Sequence, residues 1–231
     1  MPSPSGRLID IGSGSSEFVY AAQLLGFDGE GIEPHLGYSA YAAKTFGIPI
    51  RNSSWQEADI APESTHVVTL HHVLEHLRDP FAVLACVSGL LKPDGLIAID
   101  VPDIETTYHA PRNRFHYAHI YNFNHATLAA LLDKAGFELA DTPANHKGTM
   151  LAARKVRSPD PLWPVSLPAN YERLYKQLIA GLDAVQYQTR KPLDRLLRKV
   201  TRFPEEVSYG FRISNPREIV RREVSGLLQP A

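Results

Sequence analysis

Cysteine and long apolar segments are the scarcest features of this 231-residue sequence. The single cysteine, Cys86, excludes an internal disulfide, as is typical of proteins in a reducing compartment. Its apolar surroundings favour a buried structural thiol over a nucleophile. No apolar run approaches the roughly 20 residues that span a bilayer, and the first residues show no signal-peptide pattern. We therefore expect a cytoplasmic protein that does not bind or cross a membrane.

An excess of charge of either sign is also missing. The sequence has 24 lysines and arginines against 25 aspartates and glutamates, which gives a net charge of −1. This balance argues against a nucleic-acid-binding protein that relies on phosphate contacts. Hydrophobic residues make up 44% of the chain, enough for a substantial core. The length allows one α/β domain plus an extension.

The first apolar segment, residues 7–11, is followed by a turn that contains Gly12 and Gly14. The segment is typical of a strand buried on both faces, and the residues after the turn have helical spacing. Ser15 or Ser16 is suited to cap that helix. Strand, glycine turn and helix together predict the start of a doubly wound α/β sheet. Ligands of such sheets bind at the carboxyl ends of the strands, where glycine leaves room for them.

A third glycine is absent from this turn, which reads Gly12-Ser-Gly14-Ser-Ser-Glu17. Dinucleotide sites use Gly-x-Gly-x-x-Gly, and the carboxylate of Glu17 would repel a pyrophosphate at that place. Asp10 adds a second negative charge just before the turn. The combination favours a ligand with a cationic amine and a sulfonium, and it disfavours a nicotinamide-dependent oxidoreductase.

Later strand ends supply further candidates for ligand binding. Glu33 lies about twenty residues beyond the turn, where an acidic side chain meets the two hydroxyls of a ribose; a plain surface carboxylate is the alternative. Ser54 and Trp55 follow the third strand, and the indole could cover a purine or plug the loop from below. His71 and His72 follow the fourth strand, predicted over residues 65–70.

The order of these motifs resembles the class I S-adenosylmethionine-dependent methyltransferases. Asp10-x-Gly12-x-Gly14 and Glu33 are followed by His72-Val-Leu-Glu-His-Leu-x-Asp-Pro80, Leu91-Lys-Pro-Asp-Gly95 and Val101-Pro102. The resemblance covers roughly residues 6–156 and is strongest to the subgroup with Leu-Glu-His-Leu after strand four. That subgroup includes small-molecule and sugar methyltransferases. The serines in the glycine turn and the missing N-terminal helices depart from the pattern.

The resemblance implies a Rossmann-like fold: a doubly wound, seven-stranded, mostly parallel sheet, finished by an antiparallel hairpin. It also implies S-adenosylmethionine as cofactor and a small-molecule acceptor, such as a sugar or a glycan precursor. A catalytically silent methyltransferase-like assembly module is the alternative. The sequence does not identify the acceptor or the atom that would be methylated.

Aromatic residues and histidines concentrate between residues 106 and 126, in the loop that the resemblance places over the methyl group. Methyl transfer is an in-line displacement that depends mainly on positioning, and it needs a base only when the acceptor holds its proton. His119 and His116 are the candidate bases, with Tyr108 and His72 as alternatives at the rim. A structural role for His119 in the loop is the other interpretation.

Three of these histidines have a spacing that could also suggest zinc, namely His116, His119 and His125. No cysteine or carboxylate lies near them at helical spacing, and the resembling family does not require metal. We therefore expect no metal site.

Composition changes after residue 156 and divides the chain into three parts. Residues 1–156 are predicted to form the S-adenosylmethionine-binding domain, residues 157–168 a proline-rich linker, and residues 169–231 a helical C-terminal extension. The extension is expected to pack on the domain or to form a homodimer. The first strand begins near residue 7, which leaves no room for a helical lid. A fragment of a longer protein is one interpretation, and the sequence does not decide it.

Overall fold

A computed structural model describes residues 5–105, 115–142, 148–183 and 215–228. The strands are β1 (Arg7–Ile11), β2 (Asp28–Ile32), β3 (Ile50–Arg51), β4 (Thr65–His71), β5 (Leu91–Asp100), β6 (Phe137–Leu139) and β7 (Met150–Lys155). The helices of the described segments are α1 (Glu17–Leu24), α2 (Leu36–Phe46), α3 (Pro80–Leu90), α4 (His125–Lys134), α5 (Asn170–Asp183) and α6 (Pro216–Leu228). A single 3₁₀ turn (Leu74–His76) follows β4.

The strands form one seven-stranded sheet in the order β3-β2-β1-β4-β5-β7-β6. All neighbours pair in parallel except β7, which is antiparallel to both β5 and β6. The predicted doubly wound sheet and its closing hairpin are therefore confirmed. Strand order reverses between β1 and β4, so the edge formed by the carboxyl ends of these two strands is the place where such a sheet binds its ligand.

The core lies on both faces of the central strands. Ile9 of β1, Val68 of β4 and Ile97 of β5 have no exposed surface. Strands buried on both faces must be apolar almost throughout, which is why the apolar runs in the sequence locate them. The rigid centre fixes the positions of the loops at the carboxyl edge.

Two helix boundaries follow from local residue chemistry. At α3, the Asp79 side chain accepts a hydrogen bond of 2.9 Å from the backbone N–H of Ala82, and Pro80 occupies the first turn. At α2, Gly47 ends the helix with φ of 69°, a conformation that glycine adopts without strain. Both boundaries are set by residues within a few positions of the helix end.

Two local expectations are wrong. Ser16 occupies the N-cap position of α1, but its φ is 63° and its side chain makes no capping bond. Its hydroxyl instead donates to Ser13 Oγ at 2.9 Å, within the turn. Cys86 is exposed on α3 rather than buried, although partial burial by neighbouring atoms raises the pKa of its thiol. A raised pKa keeps the thiol protonated at neutral pH, so Cys86 is still a poor nucleophile.

The C-terminal helix α6 lies in the predicted helical extension and packs on the first two helices. Val220 contacts a small apolar cluster of α1 and α2 residues and their neighbours: Val19, Tyr20, Phe46 and Ile48. Arg221 Nε donates to the Tyr20 hydroxyl at 3.0 Å, and Val224 is buried. These contacts place α6 on the outside of the sheet-flanking helices.

The described helices include none with both the length and the apolarity to cross a membrane.

Candidate functional site

The two glycines of the turn after β1 serve different purposes. Both have positive φ, 71° at Gly12 and 53° at Gly14. A Cβ atom on Gly12 would lie 2.4 Å from Val73 Cγ2, so glycine is required there by packing rather than by a ligand. A Cβ on Gly14 would meet no heavy atom of the described residues within 4 Å. Gly14 therefore faces open space, as the expected approach of a ligand requires.

Glu33 follows β2 and reaches the glycine turn. Its Oε2 accepts a hydrogen bond of 2.8 Å from the backbone N–H of Gly14, and its Oε1 accepts one of 2.7 Å from the N–H of His35. Glu33 is only 7% exposed. Each carboxylate oxygen accepts more than one hydrogen bond, so both retain capacity for hydroxyl donors. The structure thus brings Glu33 and Gly14 together; the ribose contact remains a prediction.

Asp10, the last-but-one residue of β1, lies beneath the turn. Its carboxyl is 3% exposed and accepts a 2.6 Å hydrogen bond from the hydroxyl of Thr69. Burial raises the pKa of Asp10 to about 7; the Thr69 bond opposes this rise, and the charge of Glu33 adds to it. Near neutral pH the Asp10 carboxyl is therefore close to half protonated. Its negative charge is weaker than the sequence suggested.

Ser54 and Trp55, the candidates after β3, interact with residues of their own loop and of the core. The Ser54 hydroxyl donates to Glu57 Oε2 at 2.8 Å. Trp55 is partly buried and packs against the main core, and its indole N–H is buried without a hydrogen-bond partner in the described chain. The packing agrees with the plug interpretation. A purine-covering role for Trp55 stays a prediction.

His71 and His72 stand together at the carboxyl end of β4 but in different surroundings. The His71 ring lies 4.6 Å from the ring of Phe18, and burial lowers its pKa although Asp100 acts in the opposite direction. The side chain of His72 is 61% exposed, with φ of 55°. Its Nδ1 lies 3.6 Å from Glu75 Oε1 and its Nε2 lies 3.8 Å from Asp100 Oδ2. His72 thus faces the rim, whereas His71 faces α1.

Residues 115–123 follow β5 in the chain. Hydrogen bonds connect them to the 3₁₀ turn after β4. The backbone N–H groups of Ile120 and Tyr121 both donate to the carbonyl of Glu75, at 2.9 and 3.2 Å. The Nδ1 of His76 lies 2.9 Å from the carbonyl of Ala118. These bonds hold two distant segments of sequence side by side at the carboxyl edge of the sheet.

This attachment places His119 beside Glu75. The distance from His119 Nε2 to Glu75 Oε1 is 4.0 Å, and the rings of His76 and His116 both lie 4.9 Å from the His119 ring. Burial lowers the pKa of His119; Glu75 acts in the opposite direction, and the neighbouring histidines lower it further. His119 is therefore neutral at pH 7, the form that can accept a proton.

The other acceptor-side candidates differ in position. His116 is exposed and in ring contact with His119, while Tyr108 lies outside the described residues. His125 Nδ1 contacts the carbonyl of Gly148 at 2.9 Å, at the first turn of α4. In the described part of the chain, the potential ligand atoms that converge belong to Glu75, His76 and His119, not to the three histidines with zinc-like spacing.

Glu75 lies in the site although it was not among the residues predicted from the sequence to form it. Glu75 is 1% exposed, and neither of its carboxylate oxygens has a hydrogen-bond partner among the described residues. The available signal was the Leu74-Glu-His-Leu77 motif, where a carboxylate and an imidazole stand between two leucines, of which Leu74 is buried and Leu77 partly buried. The short 3₁₀ turn directs the carboxylate inward with them.

The chain matches a known protein family over more than half of its length. A family described as "Methyltransferase domain" matches residues 2–142. A "Probable S-adenosylmethionine-dependent methyltransferase" of Mycolicibacterium smegmatis is 31% identical over 113 residues, which cover 48% of this chain and 43% of that protein. The ubiquinone biosynthesis O-methyltransferase of Cereibacter sphaeroides is 33% identical over 96 residues, 39% of either chain. The chain thus spans less than half the length of these curated relatives.

Solved structures of similar fold include two methyltransferases. The 1,6-didemethyltoxoflavin-N1-methyltransferase of Burkholderia thailandensis, with S-adenosylhomocysteine bound, has a TM-score of 0.52 and 20% identity, covering 66% of this chain and 72% of its own. The S-adenosylmethionine-dependent methyltransferase of Mesorhizobium loti has a TM-score of 0.52 and 15% identity, covering 67% of this chain and 93% of its own. At these identities the likeness establishes the fold alone.

Proposed function

The chain belongs to the methyltransferase-domain family, and we propose that it transfers the methyl group of S-adenosylmethionine to a small-molecule acceptor. The observation that carries the proposal is the junction of Glu33 with the glycine turn. Glu33 is buried against the N–H of Gly14, and the space in front of Gly14 is open. A ligand at this point would lie at the carboxyl ends of β1 and β2, next to the strand-order reversal.

Each part of S-adenosylmethionine has a proposed partner among the residues at this edge of the sheet. We assign the ribose hydroxyls to Glu33, whose oxygens keep lone pairs beyond their two backbone bonds. The cationic methionine end fits beside the glycine turn, above the buried carboxyl of Asp10. The adenine is assigned to the loop with Ser54 and Trp55, and His71 and His72 at the carboxyl end of β4 complete the proposed cofactor site.

The acceptor is assigned to the space in front of residues 115–121. His119 is the proposed base, since its lowered pKa keeps the imidazole neutral at physiological pH, and His116 supports it by ring contact. A hydroxyl of a sugar or a glycan precursor is the proposed methyl acceptor. One relative is an O-methyltransferase of ubiquinone biosynthesis and one structural neighbour is an N1-methyltransferase, so an acceptor with either atom belongs in the screen.

Equilibrium binding tests the cofactor assignment directly. Titration of the chain with S-adenosylhomocysteine in a calorimeter should give saturable binding, and Glu33→Ala should weaken it. Glu138→Ala is the matched control, because Glu138 is an exposed carboxylate on β6, at the far edge of the sheet. Absence of binding, or equal affinity for wild type and Glu33→Ala, would rule the assignment out.

Turnover tests the activity. Incubation with S-adenosylmethionine and a panel of hydroxyl and amine acceptors should release S-adenosylhomocysteine, and His119→Ala should slow the release with a hydroxyl acceptor. Cofactor binding without release for any acceptor would favour the silent assembly module instead.

A further inference from the structure

Glu75 is a buried carboxylate without the partners that burial normally demands. Its side chain is 1% exposed, and neither oxygen has a hydrogen-bond partner among the described residues. Removing an ionised carboxylate from water without pairing costs several kcal/mol at the least. A carboxylate in this position therefore calls for a positively charged ligand or a proton.

Imidazole nitrogens approach the same oxygen from three directions. His72 Nδ1 lies 3.6 Å from Glu75 Oε1, His76 Nε2 lies 3.7 Å from it, and His119 Nε2 lies 4.0 Å from it. These separations are too long for hydrogen bonds. They are somewhat longer than the roughly 3.3 Å between two ligands of a tetrahedral ion with bonds of about 2 Å, so the side chains must move closer together to share one ion. One ligand atom each from Glu75, His76 and His119 falls within 4.8 Å of the others.

The ring of His76 is oriented as in metal-binding histidines. A carbonyl oxygen accepts and does not donate, so the 2.9 Å contact with the carbonyl of Ala118 places the proton of His76 on Nδ1. The lone pair is then on Nε2, the nitrogen that faces Glu75. A backbone carbonyl that fixes the tautomer in this way is the usual outer partner of a ligating histidine.

The backbone holds the cluster together. The two N–H groups that donate to the Glu75 carbonyl, from Ile120 and Tyr121, directly follow His119 in the chain. These hydrogen bonds hold the segment that contains His119 beside the segment that contains Glu75 and His76. Only small side-chain adjustments are needed for the three ligand atoms to meet one ion.

We propose that Glu75, His76 and His119 bind a divalent transition-metal cation at the carboxyl edge of the sheet. Two imidazoles and one carboxylate are a donor set that suits zinc, iron(II), manganese or cobalt better than calcium or magnesium. Three protein ligands leave at least one coordination position for water or a substrate atom, as in catalytic rather than structural metal sites. His72, with a 61% exposed side chain, borders that open side.

The role of the cation rests on the proposed methyl transfer. An acceptor hydroxyl bound to the cation gives up its proton to water more readily, because the positive charge stabilises the resulting oxyanion. The oxygen then forms a bond to the methyl carbon while the carbon–sulfur bond of the sulfonium breaks, which leaves neutral S-adenosylhomocysteine. When the cation is bound, His119 is one of its ligands and the cation activates the acceptor; in the metal-free chain His119 keeps its proposed role as base.

Cobalt(II) is a direct probe, because its visible absorption reports imidazole and carboxylate coordination without any need for turnover. The metal-stripped chain should bind cobalt(II) with one ion per chain and gain a visible ligand-field spectrum that zinc displaces. Glu75→Gln and His119→Ala should each weaken binding by more than ~100-fold, beyond the loss that removal of an outer partner causes. His66→Gln is the matched control, since His66 lies near the opposite end of β4, where its Nδ1 accepts from the N–H of Arg7.

Three outcomes would overturn the site: no cobalt spectrum in the wild-type chain, binding that survives both substitutions, or equal loss in His66→Gln. Thermal unfolding checks that the variants fold, and Glu75→Gln should retain or gain stability in the metal-free chain because it removes a buried carboxylate that has no hydrogen-bond partner among the described residues. S-adenosylhomocysteine binding, measured on the same samples, separates failure of the metal site from failure of the proposed function.

Discussion

Glu33 Oε2 accepts a hydrogen bond of 2.8 Å from the backbone N–H of Gly14 and thereby joins the end of β2 to the turn after β1. The same carboxylate accepts the N–H of His35, so it stabilises both the turn and the start of α2. One buried side chain thus shapes the turn before any ligand binds. Substitutions of Glu33 consequently affect the site through its geometry as well as through its charge.

Glu33→Gln is expected to lower the affinity for S-adenosylhomocysteine about ten- to a hundredfold. The amide keeps one oxygen for one backbone N–H, but its NH₂ group faces the other, and bonds to a charged acceptor are worth about 1.5–3 kcal/mol. Calorimetric titration measures the change. An affinity for Glu33→Gln equal to that of wild type would mean that the second backbone bond contributes nothing to the site.

Gly12→Ala and Gly14→Ala should separate folding from binding. Both positions have positive φ, which costs an alanine about 1 kcal/mol, but only at Gly12 would the new methyl group collide with Val73. We expect Gly12→Ala to lower the free energy of unfolding by several kcal/mol, and Gly14→Ala to lower mainly the affinity for S-adenosylhomocysteine. Urea unfolding and calorimetry on both variants measure this; a reversed order of stabilities would contradict it.

Asp10 should make the free energy of unfolding fall as the pH rises. Its pKa is raised from 3.8 to about 7 in the folded chain, so the folded state holds the proton more tightly and its advantage is lost as pH rises through 7. Between about pH 5.5 and pH 8 this loss is on the order of 2 kcal/mol. Asp10→Asn removes the titration. The stability of wild type relative to Asp10→Asn should therefore decline over that range in urea unfolding series, and parallel curves for the two proteins would refute the assignment.

Val224→Ala should destabilise the chain by about 1–2 kcal/mol, because Val224 is 6% exposed on α6 and its methyl groups leave a buried position. Leu227→Ala, on the same helix but 78% exposed, is the control and should change stability by less than ~0.5 kcal/mol. Urea unfolding of the full chain measures both. Equal effects would show that α6 does not depend on the packing of this face.

The sequence determined the sheet, because apolar strands and the residues that cap helices act through local chemistry. The glycine turn, the Asp79-Pro80 helix start and the Gly47 helix end were each predictable from a few adjacent residues. The position of Glu33 at the carboxyl edge of the sheet was also predictable, because one helix and one strand separate it from the glycine turn.

Only the tertiary structure decided what surrounds each of these groups. Gly12 and Gly14 look alike in sequence, but an added Cβ would collide with Val73 at the first and would meet none of the described residues at the second. The pKa of Asp10 depends on burial under a sheet formed by distant strands. Glu75 and His119 are 44 positions apart in the chain and meet because the N–H groups after His119 bond to the Glu75 carbonyl. Such contacts depend on which loop supplies the partner for each backbone hydrogen bond. No local pattern of residues encodes this choice.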